Sequence, residues 1–278
     1  MQSSPQRPFS SRCQVWLLPT VLVFLVALSG VATAQTVPAV PSASELPGNW
    51  TDTLQQFSNP SAFSGTLKTL AALTVFSLAP AVLLMTTSFV RIAVVLGLLR
   101  QAIGAQLLPS NQIITSLAMF LTVLVMAPVW MQVYDDAIVP YTDETTQMSA
   151  ETALQIGIQP VRSFMSQQIE KAQNSDDVWL FLKYLPEQVA EPQTYDDVPF
   201  QALLPAFMLS ELKVAFLIGF RIFLPFLVID LVVASVSTSM GMMMLPPTMV
   251  SLPMKLLLFV LVDGWHLVVG MLLESFAL

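Results

Sequence analysis

Charged and titratable side chains interrupt two long apolar stretches near the C-terminus, and these residues have the most scope for chemistry. Residues 203–236 contain Glu211, Lys213, Arg221 and Asp230, and residues 254–273 contain Lys255, Asp263 and His266. Charges inside such stretches are costly in lipid and normally face a protein interior, another subunit or a water-filled path. Glu211, Lys213 and Lys255 lie near the ends of their stretches, so their side chains could instead reach the membrane surface. The other acids and Arg221 lie further inside, which predicts an interior built by the C-terminal half.

A methionine-rich turn separates these two stretches. Residues 237–253 contain Met240, Met242, Met243, Met244 and Met249 together with Gly241, Pro246, Pro247 and Pro253. Proline lacks an amide donor and crowds the preceding turn, so the adjacent prolines predict a break between two helices. Methionine is flexible and polarizable, and a cluster of it makes a soft apolar surface. The turn is therefore either a packed or lipid-facing connection, or a deformable constriction.

Asp263 and His266 are spaced to share one helical face. The pair could relay protons, but a buried hydrogen-bonded contact between helices is the favoured interpretation. Ser251 would complete a serine–histidine–aspartate set, although serines are too common in this chain for that spacing to carry weight. Thioethers also bind Cu(I), but the other soft ligand, cysteine, occurs only at Cys13. Phosphate-binding loops, zinc-type spacings and nucleophile elbows are missing from the sequence, so we expect neither an enzyme, nor a cofactor, nor a metal.

The composition is that of an integral membrane protein. The 278 residues are 55% hydrophobic and only 10% charged, whereas soluble domains carry about 25% charged residues. The mean hydropathy is +0.70. The net charge of −7 gives no basic face for a nucleic acid.

The N-terminus has the pattern of a secretory signal peptide. Arg7 and Arg12 precede an apolar core at residues 15–31, and small residues at 32–34 form a cleavage pattern. We predict a signal peptide at residues 1–34 that is removed after Ala34; an uncleaved membrane helix is the alternative. Residues 35–66, rich in proline and polar residues, are predicted to be an extracytoplasmic linker.

Residues 67–134 are predicted to hold the first two membrane-class helices. Uncharged apolar runs at residues 70–90 and 113–133 are about long enough to cross a hydrocarbon core of ~30 Å. Residues 91–112 between them carry Arg91 and Arg100 and no acid, which predicts a basic cytoplasmic loop.

Residues 135–200 are predicted to form a small acidic helical domain outside the membrane. This stretch holds twelve acids, and residues 148–151 are predicted to open a helix. One amphipathic face follows, made of Ile156, Pro160, Val161, Phe164, Met165, Gln168 and Ile169. Residues 201–278 are predicted to be a C-terminal helix pair joined by the methionine-rich turn. The expected fold is all-α, with four hydrophobic helices and one external helical domain.

Several stretches together resemble the FliP family of flagellar type III export proteins. They are residues 85–100 (MTTSFVRIAVVLGLLR), 109–112 (PSNQ), 204–213 (LPAFMLSELK), 229–235 (IDLVVAS), 240–247 (MGMMMLPP) and 261–265 (LVDGW). The resemblance runs from about residue 70 to residue 276. Related proteins of virulence secretion systems are similar in their membrane segments but typically lack a cleaved signal sequence, so the flagellar branch is the better match.

The resemblance implies a subunit of the export gate in the bacterial inner membrane, within the flagellar basal body. Family members form a ring, a pentamer, with the smaller membrane proteins FliQ and FliR, and unfolded flagellar polypeptides pass through it. The resemblance also implies that the methionine turn is a pore gasket, carried by Met240, Met242, Met243 and Met244. Family rings sit largely above the membrane plane with broken helices, so the four-helix map need not describe the assembly.

One inter-subunit contact is predicted from the cost of burying charge. In the simple four-helix map, Glu211 and Lys255 lie on opposite sides of the membrane and cannot meet within one subunit. If the ring departs from that map, the two side chains could pair between neighbouring subunits, with Lys213 as the alternative neighbour of Glu211. Solvated helix ends remain the other possibility.

Three classes of function stay open on the sequence alone. The motif set favours a protein-export channel subunit, of either the flagellar or the virulence type. A stand-alone transporter for small solutes or metals would more often show internal repeats of hydropathy, which are not evident. A structural platform without a pore is the third class.

Overall fold

The computed structural model of the chain describes residues 73–74, 77–104, 109–143, 148–185, 192, 194–241 and 246–276. The predicted signal peptide and linker lie outside these residues, as do Met242, Met243 and Met244. The chain divides into two compact units, Met1–Ala81 and Val82–Leu278. All packing described below is within the second unit.

The regular elements of the described ranges are helices. They are α1 (Ser77–Met85), α2 (Phe89–Ile103), α3 (Asn111–Val133), α4 (Val139–Thr142), α5 (Ala150–Lys171), α6 (Ser175–Leu182), α7 (Phe200–Ser239), α8 (Pro247–Leu261) and α9 (Gly264–Phe276). A π-helical turn, Tyr134–Ile138, joins α3 to α4, and a 3₁₀ turn, Tyr195–Asp197, precedes α7. The all-α prediction is confirmed for this part of the chain.

Helix α7 is the element on which α2, α5, α6 and α8 pack. Its contact with α2 is the most extensive, and the shared core includes Leu96 and Leu99 of α2 and Leu203 and Phe207 of α7. Gly219 lets the two helices approach closely, because a Cβ atom at this position would overlap the side chain of Leu98. The glycine therefore fixes how α2 lies along α7.

Two of the helical segments could cross a membrane unbroken, as judged by length and composition. They are Asn111–Thr142, of 32 residues, and Phe200–Ser239, of 40 residues. Two bent pairs, Ser77–Met85 with Phe89–Ile103 and Pro247–Leu261 with Gly264–Phe276, would raise the number of candidate spans to four. The prediction of helices long and apolar enough to cross a membrane is thus confirmed. The prediction of four uninterrupted hydrophobic helices is not.

The bend between α8 and α9 measures 65° and has a local cause. Asp263 takes a positive φ of 51°, a region that aspartate tolerates better than most residues. At Gly264 a Cβ atom would overlap the ring of Phe259, so only glycine fits there without a shift. These two residues end α8 and begin α9 in a new direction, which hydropathy alone does not predict.

The predicted basic loop at residues 91–112 is wrong over most of its length. Its first part belongs to α2, a helix of 15 residues, and α3 begins at Asn111. Arg100 of α2 donates a hydrogen bond to the side chain of Asn111 across the connection. The loop was predicted because two arginines stand in a short stretch without acids; one of them, Arg91, is instead buried against a carboxylate.

The amphipathic helix predicted in the acidic region is confirmed. Helix α5 begins at Ala150, where the Ser149 hydroxyl accepts a hydrogen bond from the backbone amide of Thr152. The predicted face supplies the buried residues Pro160, Phe164, Met165, Gln168 and Ile169. This face packs on α3 and α7.

Candidate functional site

A buried arginine joins four helices in the first third of α7. Arg91 of α2 is 2% exposed and Glu211 of α7 is fully buried. The guanidinium donates from Nε to Oε2 of Glu211 at 2.8 Å and from Nη2 to Oε1 at 2.5 Å. A two-point contact of this kind matches the planar fork of arginine to the carboxylate and is among the stronger hydrogen-bonded pairs.

The remaining donors of Arg91 reach the other two helices. Nη2 donates to Oε1 of Gln168 in α5 at 3.1 Å, and Nη1 donates to the backbone carbonyl and the hydroxyl of Ser275 in α9, each at 3.1 Å. The guanidinium carbon lies 3.9 Å from the ring centroid of Phe276, within cation–π range. We call Arg91, Glu211, Gln168 and Ser275 the arginine hub.

A second buried cation lies further along α7. Lys255 of α8 is 7% exposed. Its Nζ donates to Oδ2 of Asp230 in α7 at 2.5 Å and to the backbone carbonyl of Ala102 at 3.2 Å. Ala102 is in the last turn of α2, where carbonyls lack helical partners and a cation is favoured. This contact, the lysine clamp, therefore ties the end of α2 to α7 and α8.

A third ion pair fastens α6 and the turn before it to the first half of α7. Lys213 donates to Oδ1 of Asp177 at 2.5 Å, and Nδ2 of Asn174 donates to the Ser210 hydroxyl at 2.9 Å. The Lys213 side chain is 49% exposed, unlike Arg91. Because α6 is held at Asp177 and the turn before it at Asn174, α6 and α7 keep a fixed register.

The methionine-rich turn starts and ends where the sequence predicts a break. Helix α7 ends at Ser239, followed by Met240 and by Gly241 with φ of 72°. Helix α8 restarts at Pro247, since proline is well suited to the first helical position. Met240 and Met249, on the two sides of the turn, are 68% and 70% exposed. The ends of the turn thus present thioethers outward.

Three of the predicted polar residues lie on the surface of the subunit. Arg221, Asp263 and His266 are exposed. In the described part of the chain, none of these side chains takes part in a hydrogen bond or ion pair, so the predicted contact between Asp263 and His266 is not formed there. Ser251 is buried in the first half of α8, about 15 Å of helix before the bend, which rules against a serine triad.

Most of the chain matches one family of known proteins. The FliP family model matches residues 72–272. The chain is 54% identical over 204 residues to the flagellar biosynthetic protein FliP of Caulobacter vibrioides, covering 73% of this chain and 74% of that protein.

The chain belongs to the FliP family.

Two further FliP relatives extend the match. That of Bacillus subtilis is 47% identical over 219 residues, covering 79% of this chain and 96% of the relative. That of Rhizobium meliloti is 42% identical over 258 residues, covering 92% and 98%. The resemblance to the FliP family that the sequence motifs indicate is therefore confirmed.

Glu211 and Lys255 of this FliP-family chain do not meet each other within the subunit. Glu211 pairs with Arg91, and Lys255 pairs with Asp230. The predicted contact between neighbouring subunits stays a prediction, and it would require the fully buried Glu211 carboxylate to become accessible. The alternative of Lys213 as the neighbour of Glu211 is wrong in this structure, because Lys213 binds Asp177.

Arg91 is the functional candidate that sequence reasoning missed. It was assigned to a loop, although apolar residues flank it on both sides. An arginine inside an apolar stretch implies a buried acid elsewhere, and Glu211 is an acid in a similar setting. The two charges inside apolar stretches therefore indicate that each needs a partner, but they do not show that Arg91 and Glu211 pair with each other. Asp230 was identified as a polar residue inside the apolar run, but not as the partner of Lys255.

Proposed function

We propose that this FliP-family chain is a subunit of the flagellar type III protein export gate in the bacterial inner membrane. Copies of it form a ring with FliQ and FliR, and unfolded flagellar polypeptides pass through the ring during assembly of the flagellum. The observation that carries the proposal is the family match across residues 72–272, with relatives that are themselves named flagellar biosynthetic proteins. Those names favour the flagellar over the virulence alternative.

The helices support a membrane-embedded gate in physical terms. Two apolar helices and two bent pairs are long enough to cross a bilayer. Bent or broken spans are tolerated at membrane depth only where protein or a water-filled path covers the freed backbone groups. A subunit with two such pairs is suited to an assembly that covers them.

The methionine turn is proposed as the seal of the closed gate. Met240 and Met249 are exposed at its ends, and the remaining members of the predicted gasket, Met242, Met243 and Met244, lie between them in the sequence. Hydrophobic constrictions can close a pore by excluding water. Flexible thioethers can then give way to side chains of different sizes as a polypeptide passes. The chain itself carries out no reaction in this proposal.

The test is complementation of a strain that lacks its own FliP. The full-length chain, with its N-terminus intact, is expressed at normal membrane levels, and exported hook protein in the culture medium is measured along with swimming. Empty vector is the control. The proposal expects export to be restored and a ring to be seen by native mass spectrometry. A chain that accumulates in the membrane but neither assembles nor restores export would overturn it.

A further inference from the structure

One positive charge stands on the outer, apolar face of the longest helix. Arg221 is exposed on α7, and the side chains one and two turns away on the same face are also exposed and apolar: Leu217, Leu224 and Val228. In the described residues Arg221 has no hydrogen-bond or ion-pair partner. An unpaired arginine near the centre of an apolar segment is costly in lipid, and such charges normally face protein or water. This face therefore favours a covering surface that supplies an acceptor.

A negative charge stands on a second exposed surface of the same subunit. Asp263, at the bend between α8 and α9, is exposed. The apolar residues before it are exposed as well: Val260 at 74%, Leu261 at 74% and Val262 at 47%. The Asp263 carboxylate likewise has no side-chain partner in the part of the chain that the structure describes. This bend has exposed apolar surface of its own, and it supplies the acceptor that the face of α7 lacks.

The two charges lie at similar helix path lengths from the lysine clamp. Asp230 and Lys255 are in contact, and nine residues separate Asp230 from Arg221 while eight separate Lys255 from Asp263. At 1.5 Å per helical residue, both charges lie about 12–14 Å from the lysine clamp.

We propose that Arg221 of one copy of this chain pairs with Asp263 of the adjacent copy. The apolar face of α7 around Arg221 then packs on the exposed bend of the neighbour. The contact joins two different surfaces of the same chain, and such head-to-tail contacts close into rings when the rotation allows. Opposite charges at similar helix distances from the lysine clamp, each surrounded by exposed apolar side chains, make a second copy the occupant with the right chemistry. The inference rests on the proposed ring and specifies its seam.

Cross-linking between differently tagged copies tests the seam directly. Arg221→Cys is placed in one tagged copy and Asp263→Cys in the other, in a background with Cys13→Ser. A short bis-maleimide is used, because an ion pair holds Cα atoms farther apart than the ~4.4–6.8 Å of a disulfide. Each copy has one cysteine, so a linked product must join two chains. Val236→Cys, exposed about 22 Å further along α7, replaces Arg221→Cys in the control.

The expected result is a linked pair of tags several-fold above the Val236→Cys control. A yield equal to that control would overturn the inference. So would linkage in a single copy carrying both cysteines with no linkage between copies.

Charge exchange provides a second measurement that does not depend on the reagent. Arg221→Glu and Asp263→Arg should each reduce the ring population seen by native mass spectrometry, and the double variant should recover it at least in part. Single variants that assemble normally, or a double variant no better than either, would overturn the seam. If the wild-type chain itself forms no ring and restores no export, the proposed function is wrong. If the wild-type chain forms a ring but the cross-link is not seen, only the proposed Arg221–Asp263 contact is wrong.

Discussion

Replacing Arg91 by methionine should destabilise the subunit far more than removing an exposed cation. The substitution Arg91→Met keeps an unbranched apolar stem but deletes the guanidinium, which supplies all the contacts between helices of the arginine hub. Glu211 then keeps its burial and loses both of its hydrogen bonds to the guanidinium. Breaking one side of a buried ion pair typically costs about 3–5 kcal/mol, because an uncompensated charge remains. That is a large part of the ~5–15 kcal/mol that stabilises an ordinary domain.

The chain offers a matched control in its third ion pair. Lys213→Met also removes a cation from a carboxylate at 2.5 Å, but the Lys213 side chain is 49% exposed, whereas the Asp177 side chain is 5% exposed. Exposed pairs contribute about 0.2–1 kcal/mol and breaking one side of a buried pair costs about 3–5 kcal/mol, so this half-exposed pair should cost an intermediate amount. Unfolding is followed by helical circular dichroism of the purified protein in mixed micelles at increasing denaturing detergent, and the free energies of unfolding of the variants are compared.

A double-mutant cycle separates the pair from the general effect of burial. Glu211→Gln alone should also be costly, whereas Arg91→Met combined with Glu211→Gln should cost clearly less than the two single changes together. The expected coupling is about 2–3 kcal/mol, at the upper end for residues in contact. If Arg91→Met costs no more than Lys213→Met, or if the single costs simply add, the reasoning from buried charge is refuted.

Three further predictions concern the assembly and the packing. If Glu211 and Lys255 pair between subunits, Glu211→Lys and Lys255→Glu should each abolish the ring on native gels, and the double exchange should restore it in part. Two single variants that assemble normally would contradict this prediction. Changing methionines 242–244 to alanine should leave the ring assembled but let small ions leak through the closed gate, as measured by ion flux in cells, and an assembled variant with unchanged permeability would favour a packing role. Gly219→Ala should cost about 1–3 kcal/mol through overpacking against α2, whereas Gly97→Ala, where a Cβ meets nothing within 4 Å, should be neutral or slightly stabilising; equal thermal shifts for the two would show that the helices can move apart.

Patterns that are local in the chain predicted their part of the structure well. The break before α8 follows from Pro246 and Pro247, whose effect on the backbone needs no tertiary partner. The start of α5 follows from Ser149, which caps its own helix. In each case the energy that decides the structure comes from residues a few positions apart, so the sequence contains the whole cause.

Contacts between distant residues could not be predicted in the same way. Hydropathy assigns each residue a cost on its own, so it placed Arg91 in a loop at the membrane surface. The structure lowers that cost with an acid 120 residues away. The lysine clamp is similar, because Lys255 donates to the carbonyl of Ala102, 153 residues away. Sequence reasoning could identify the charges that need partners, but not which partners they take.

The charges of the arginine hub and the lysine clamp are paired within the subunit, whereas Arg221 is exposed on its surface, and this difference has a consequence for the subunit. The arginine hub and the lysine clamp hold α2 near both of its ends, about 16 Å apart along the helix. They use Glu211 and Asp230 of α7 inside the chain, so α2 and α7 can keep one register before any partner is present. Arg221 lies between those two acids and faces outward. Variants at the hub and clamp should therefore change the stability of the isolated chain, whereas variants at Arg221 should leave that stability nearly unchanged and act only when copies assemble.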